Sequence, residues 1–364
     1  MKKIKVCHVV SGLKAGGVES MIYNYCSHMN LKNYEFHLLY QHEASKKNVD
    51  EFNKIGFKLH RIPSKIKHPL KNYYETKKYL YDNKIDIVHC HMTLMNFIPL
   101  IAAKKLNIKT RICHSHNSDV RKKNIFVKII EYFLKKICVY YSTSLIACGE
   151  DAGKYMYKDK EFIILNNALN LNKFAYNDEF RGNIRNKYGI KEDEIVIGHV
   201  GRFTVQKNHK FVIELFKELT KFSNKYKLML VGDGELRDEI NNLVNDYNLE
   251  DKVIFTGIID NTNEVYSAFD IFVLPSVWEG LPVVGIEAQA SGLYCLFSLN
   301  IDKNVVINDE KTKMLDLDID IWVKDILKIC NFERSINKKI YSKLGYEIDS
   351  ASNLLDKIYR IEGK

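Results

Sequence analysis

Short apolar runs alternate with helix-length amphipathic segments along almost the whole chain, and the series runs twice. The first set of expected strands is Ile4–Val10, Phe36–Tyr40, Ile85–His89, Thr110–His114, Ser144–Cys148 and Phe162–Leu165. The second begins after Tyr188 with Ile195–Val200, Lys227–Val231, Val253–Thr256, Ile271–Leu274 and Tyr294–Phe297. Runs rich in Val, Ile and Leu, each followed by a helix, belong to parallel sheets covered on both faces. The fold class is therefore α/β, with two doubly wound Rossmann-like domains. At roughly 100–200 residues per domain, 364 residues accommodate the pair. The domains span 1–170 and 190–345, with their boundary in the polar stretch 168–192. Residues 318–330, 332–344 and 350–361 read as helices. In such sheets ligands bind beyond the carboxyl ends of the strands, so a cleft between the two domains is the expected site.

Composition excludes several classes. A hydrophobic fraction of 46% and a charged fraction of 27% rule out a disordered or collagen-like chain. The opening MKKIKVCHVV has too short an apolar run for a signal peptide, and no stretch is long and apolar enough to span a bilayer. The 8 cysteines (7, 26, 90, 113, 138, 148, 295 and 330) are scattered and read as reduced thiols of a cytoplasmic protein. Residues 1–165 hold 29 basic and 14 acidic side chains, a net of +15, whereas the remainder nets −5. A basic half favours an anionic partner: nucleic acid, lipid headgroups or a phosphorylated ligand.

The chemistry-bearing residues follow the strands. SGLKAGGVES, after the first strand, places Gly12, Gly16 and Gly17 before a helix that starts near Val18. Glycines there let backbone N–H groups approach a ligand, although the spacing is not that of a dinucleotide fingerprint. After Val200 the loop carries Gly201, Arg202 and Lys207 ahead of the helix Lys210–Thr220, a grouping suited to a diphosphate. Solvated cations are the plain alternative. Gly232 and Gly257 end two further strands and permit close backbone approach. In SVWEGLPVVGIEAQASG, Glu279 lies in a loop, Pro282 opens a helix and Glu287 lies about a turn and a half inside it. Two carboxylates beside an anion-binding helix start fit neutral hydroxyls, such as those of a sugar and a ribose.

Two strand ends in the first half carry histidines, His89 with His91 and His114 with His116, each pair on one face. Metal-site spacings are absent, so most read as buried structural groups with one hydrogen-bonding residue at the cleft. Residues 121–141, RKKNIFVKIIEYFLKKICVYY, form a basic amphipathic helix. It is either a core helix with a solvated basic face or a contact for an anionic membrane.

As a set, these motifs make the chain similar to the retaining GT-B glycosyltransferases of family 4, the group 1 glycosyltransferases, above all to bacterial members that build capsular or exopolysaccharides. The match is Glu279 with Glu287, Gly201-Arg202 with Lys207, His116, and the loop Gly16-Gly17. The resemblance implies GT-B architecture, two Rossmann-like domains facing each other across a cleft, with a C-terminal helix in 346–364 crossing back onto the first. It implies transfer of a hexose from a nucleotide-diphosphate sugar, UDP- or GDP-linked, to a lipid-linked saccharide. Arg202 and Lys207 would neutralise the leaving diphosphate, and Glu287 would accept from the ribose. Glu279 would hold a sugar hydroxyl, with the backbone of Gly280, Leu281, Pro282 and Val283 beside it. His116 would touch the sugar. Gly16, Gly17, Gly201, Gly232 and Gly257 would line the donor. No metal and no other cofactor would be required. The enzyme would be cytoplasmic, docked peripherally on the membrane through its basic half.

Three alternatives are weighed. A metal-dependent transferase needs an Asp-x-Asp at a strand end, and Asp316-Leu317-Asp318 lies instead in a charged stretch leading into a helix. A catalytically inactive nucleotide-sugar-binding protein would not need both carboxylates and both cations. A nucleic-acid-binding protein would show a recognisable motif, and none occurs, so no nucleic-acid partner is expected.

Overall fold

The computed structural model describes residues 3–14, 16–116, 124–329 and 333–362. The chain divides into two compact units, Met1–Ala168 with Gly345–Lys364, and Leu169–Leu344.

In the first unit β1 (Ile4–Val9), β2 (Tyr34–Tyr40), β3 (Lys58–Arg61), β4 (Ile87–Cys90), β5 (Thr110–Ser115), β6 (Ser144–Ala147) and β7 (Ile163–Ile164) form one sheet. The order is β3-β2-β1-β4-β5-β6-β7 and neighbouring strands are parallel. The chain winds outward from β1, then returns to β4 and winds the other way. That reversal opens a crevice where β1 meets β4. One face is packed by Met21, Ile22 and Tyr25 with Leu355, Ile358 and Tyr359 of the final helix, Ile348–Glu362. Tyr34 donates to Asp356 at 2.8 Å, which ties that helix to β2. The opposite face buries Leu39, Leu80, Val88 and Leu100. The edge strand β3 was not anticipated. Lys-Leu-His-Arg is polar and mostly exposed, so no apolar pattern announces it.

In the second unit β8 (Ile195–Val200), β9 (Tyr226–Val231), β10 (Val253–Gly257), β11 (Ile271–Leu274), β12 (Tyr294–Ser298) and β13 (Thr312–Leu315) are ordered β10-β9-β8-β11-β12-β13, again parallel. The reversal lies between β8 and β11. Of the expected C-terminal helices, the first two are shorter, Ile319–Ile326 and Lys338–Lys343. Cys330 lies outside the described residues.

The division between Ala168 and Leu169 falls at the start of the polar stretch 168–192, and the rest of that stretch folds as the helices Leu171–Phe174 and Asp178–Lys187 of the second unit. The reason is a buried ion cluster. Arg181 and Arg185 donate to the two carboxylate oxygens of Asp270 at 2.8 and 2.6 Å, and the Val196 N–H adds 2.7 Å. Arg185 is only 4% exposed. A helix docked through its arginines leaves no apolar periodicity to read.

Candidate functional site

In the second unit, the carboxyl ends of β8, β9 and β10 come together through glycines. Gly201 N–H donates to the Val231 carbonyl at 2.9 Å, and Gly232 N–H to the Gly257 carbonyl at 2.9 Å. Gly232 has φ +132°, and a Cβ there would strike the Gly201 carbonyl, so this close approach admits no side chain. Arg202 follows, exposed. Lys207 ends a single 3₁₀ turn, Val205–Lys207, before the helix His209–Thr220.

Beyond β11, Lys207 Nζ donates to Glu279 at 2.6 Å and the Ser276 hydroxyl donates to its other oxygen at 2.9 Å. The ion pair is half-buried. Gly280 and Leu281 lead to Pro282, which precedes the helix Val283–Ala290 and gives it no side-chain cap. Gly285 N–H donates to the Pro282 carbonyl at 3.0 Å, so the helix start offers an anion only its first two N–H groups, those of Val283 and Val284. Glu287, inside that helix, accepts from the Tyr266 hydroxyl at 2.8 Å. Burial raises its carboxyl to about 7, against the opposing pull of Tyr266, Lys173 and Lys207. That value places the carboxyl between its protonated and ionised forms near neutral pH.

Tyr266 and Ser276 were missed from sequence. A tyrosine on the buried face of the helix Thr262–Ala268 carries no signal. Ser276, directly after the strand-ending Pro275 and three residues before Glu279, was the findable one.

In the first unit, Gly16 is extended and Gly17 opens the helix Gly17–Ser27. A Cβ on Gly17 would meet open space. Beside this loop a cavity of about 550 Å³ sets Lys14, His42 and Arg61 against Glu19 and Glu43. Lys65, which the motifs did not flag, is buried with Nζ 2.6 Å from the Ser11 hydroxyl at the start of this loop, and burial lowers its ammonium to about 8.

His116 follows β5, half-buried. It ends a chain of imidazoles: its Nε2 lies 2.9 Å from His91 Nδ1, and His91 Nε2 lies 3.0 Å from His8 Nδ1. A second chain joins His114 Nδ1 to His89 Nε2 at 3.1 Å, and His89 Nδ1 to the Tyr359 hydroxyl at 2.8 Å. The parallel register of β1 and β4 pairs His8 with His89, which is how five histidines share one face. Burial holds His8 and His116 down to about 3 and the other three well below their usual value, so the cluster is neutral at pH 7. The two separate histidine pairs of the sequence thus become one network, to which β1 contributes a residue that the motifs did not flag.

The basic helix runs Ile125–Tyr141, and Arg121, Lys122 and Lys123 lie outside the described residues. Its apolar stripe is not core: Phe126 is 71% and Ile130 59% exposed, and Cys138 is its one fully buried side chain. Beside it a cavity of about 730 Å³ is walled by Tyr132, Phe133, Tyr140 and Tyr157 and rimmed by Lys136, Lys158 and Lys160. No described helix is long and apolar enough to cross a membrane.

The chain is 30% identical over 370 residues to EpsF of Bacillus subtilis, itself assigned as a glycosyltransferase, covering 98% of this chain and 96% of that one. The chain belongs to the group 1 glycosyltransferases. A family model described as glycosyl transferases group 1 matches residues 180–315 of this glycosyltransferase, and one described as glycosyltransferase family 4 matches 15–161. An Escherichia coli galactosyltransferase, named for UDP-Gal and α-D-GlcNAc-diphosphoundecaprenol, is 31% identical over 69% of this chain and 68% of its own. HepE of Anabaena, solved with UDP, superimposes at a TM-score of 0.79 with 12% identity, covering 98% of this chain and all of that one. That likeness fixes the GT-B fold of the glycosyltransferase. The first family model takes in Arg202, Lys207, the glycine edge and both carboxylates, and the second takes in Gly16, Gly17 and four of the five clustered histidines, His8 lying outside it. Asp318 of the Asp-x-Asp sequence caps the helix Ile319–Ile326 by accepting from the Asp320 and Ile321 N–H groups.

Proposed function

We propose that this glycosyltransferase moves a hexose from a UDP- or GDP-linked donor to a lipid-linked saccharide, with retention of anomeric configuration and without a metal. It would act in cell-surface polysaccharide synthesis on the cytoplasmic face of the membrane. The observation that carries the reading is the Lys207–Glu279 ion pair beside the uncapped helix that bears Glu287. The names of the Escherichia coli relative and of the UDP-bound neighbour support the donor and acceptor classes.

Arg202 and Lys207 receive the diphosphate, supplying the positive charge that Mg²⁺ supplies elsewhere. Glu287 accepts from the ribose hydroxyls. Glu279 holds a sugar hydroxyl, and His116 offers the sugar a neutral hydrogen-bonding nitrogen. The bond from the anomeric carbon to the diphosphate breaks with its electron pair going to the phosphate oxygen. The acceptor oxygen bonds to the same face and passes its proton to the departing phosphate, so no protein base is needed.

The test has two stages. A thermal-shift panel of nucleotide sugars selects the donor, since a ligand that binds only the folded state raises the melting temperature. Product formed in EDTA from that donor is then assigned by NMR. An α-linked product from an α-donor is expected. Inversion, or transfer that stops in EDTA, would overturn the mechanism. Turnover itself separates this reading from an inactive sugar-nucleotide binder.

A further inference from the structure

We infer that His91, His114 and His116 form a site for a borderline first-row divalent cation of the zinc class, and that an ion bound there inhibits the enzyme by taking His116 away from the sugar. The coordination stands on the first unit alone. The inhibition rests on the role proposed above for His116.

One ring nitrogen from each of the three lies within 4.8 Å of the others. A tetrahedral ion with metal–nitrogen distances of about 2.0–2.1 Å brings its ligand atoms to about 3.3–3.4 Å from one another. His91 Nδ1 and His116 Nε2, 2.9 Å apart, are already inside that spacing. A cation takes the place of that hydrogen bond, and the bridging proton moves to the remote nitrogen of the His116 ring, so each ring stays neutral.

His114 supplies the third nitrogen. Its Nδ1 is engaged by His89, while its Nε2 is buried and has no hydrogen-bond partner. A buried imidazole nitrogen left unpaired needs an explanation, and coordination is the bond that this atom lacks. The ring of His116 stacks on that of His114 at 4.0 Å, so His116 must rotate off the stack for both to reach one ion. It is the half-buried member, at the end of its strand, whereas His91 and His114 are buried.

The outer contacts are those of a metal centre. Metal-bound histidines ordinarily have the second ring nitrogen held by a neighbour, which fixes the tautomer. Here His8 Nδ1 holds His91 Nε2 at 3.0 Å. His89 holds His114 Nδ1, and the Tyr359 hydroxyl backs His89 at 2.8 Å. The donor set is three uncharged nitrogens with no carboxylate, which suits Zn²⁺, Co²⁺ or Ni²⁺ and does not suit Mg²⁺ or Ca²⁺. His8, His89 and His91 also lie close enough together, but every ring nitrogen of these three already has a hydrogen-bond partner, so that group lacks the unpaired atom that His114 supplies.

The test uses the full chain, stripped of metal by chelation and kept free of nucleotide sugar. Co²⁺ is titrated while its visible absorption is followed. One equivalent is expected to bind, to be displaced by Zn²⁺ and to be untouched by excess Mg²⁺. His91→Gln and His116→Asn should each weaken binding at least tenfold. His114→Gln should do the same, and because it lies in the core, the other two decide the matter if it fails to fold. No saturable one-equivalent binding, displacement by Mg²⁺, or wild-type binding by His91→Gln and His116→Asn would overturn the site. One equivalent of Zn²⁺ should then lower transfer at least tenfold, with chelator restoring it. Full transfer by the zinc-loaded enzyme would overturn the inhibition and leave the coordination standing. Metal-free protein without transfer would count against the proposed activity, and the Co²⁺ titration would still decide the site.

Discussion

Lys207 Nζ sits 2.6 Å from Glu279 Oε1, and the Ser276 hydroxyl secures the other oxygen of that carboxylate at 2.9 Å. The cation assigned to the diphosphate and the carboxylate assigned to the sugar are therefore one unit. The pair holds both side chains in place before a donor arrives, and an entering diphosphate competes with Glu279 for the ammonium. Positioning ahead of reaction is what makes such charges effective, because no reorganisation is left for the transition state.

Lys207→Ala is expected to lower turnover by about 10²-fold or more, the usual effect of removing one preorganised charge. Ser276→Ala should have a smaller effect, since it loosens Glu279 without removing a charge. Steady-state kinetics with the donor found by thermal shift measures both. Near-native turnover in Lys207→Ala would remove the clamp assignment.

The ribose-binding role proposed for Glu287 makes nucleotide affinity depend on pH. Burial raises its carboxyl from the ordinary value to about 7. The folded state therefore holds this proton where the unfolded state has lost it, so its contribution to stability is full at low pH and declines as pH rises towards 7. A ribose diol needs the ionised form as acceptor, so nucleotide affinity should rise from pH 6 to pH 8, with proton release on binding below about 7. Calorimetry in buffers of different ionisation enthalpy reads this. Glu287→Gln should weaken the nucleotide and abolish the pH step, and a step that persists would place it on another group.

Asp270 should matter for stability alone. It neutralises Arg181 and Arg185 in a nearly dry setting, at side-chain exposures of 24% and 5% for the two arginines. Asp270→Ala leaves those charges unmatched, which costs about 3–5 kcal/mol for a buried pair. Urea unfolding should show that loss, whereas the double change Asp270→Ala with Arg185→Met should recover part of it.

These residues also mark what the sequence could and could not tell. Strands β8 and β11 were readable to the residue, because these central parallel strands are mostly apolar and are followed directly by Gly201 and Pro275. The glycine edge, the clamp and the two glutamates were readable because loop chemistry is local. Strands β3 and β13, and the arginine-docked helix Asp178–Lys187, were not, since Lys-Leu-His-Arg and Thr-Lys-Met-Leu are short and at least half polar and an ion-paired helix has no apolar period. Tyr266 and His8 matter through partners 21 and 83 residues away, a proximity that the sheet creates.

Gly17 and Gly232 should respond differently to alanine. Gly232 combines φ +132° with backbone against its face, so Gly232→Ala should lower the melting temperature and nucleotide affinity together. A Cβ on Gly17 meets nothing, and alanine suits the first turn of a helix, so Gly17→Ala should melt as the wild type does. If a ligand approaches that backbone, Gly17→Ala loses turnover at unchanged stability. Unchanged turnover would take Gly17 off the list of donor contacts.

The helix Ile125–Tyr141 predicts membrane behaviour. Its exposed Ile125, Phe126, Ile130 and Phe133 can enter the headgroup region, while Lys136, Lys158 and Lys160 line the adjoining cavity. An interfacial helix of this type gains from apolar burial and from about 1 kcal/mol per lysine near an anionic surface. In flotation the protein should rise with phosphatidylglycerol vesicles and stay behind with phosphatidylcholine vesicles, and salt should release it as the charges are screened. Phe126→Asp with Ile130→Asp should abolish flotation with the fold intact, because both side chains already face solvent. Lys136→Glu should weaken it and flatten the salt dependence. Equal flotation on neutral and anionic vesicles would remove the electrostatic docking, and flotation unchanged by the double aspartate variant would remove this helix as the contact.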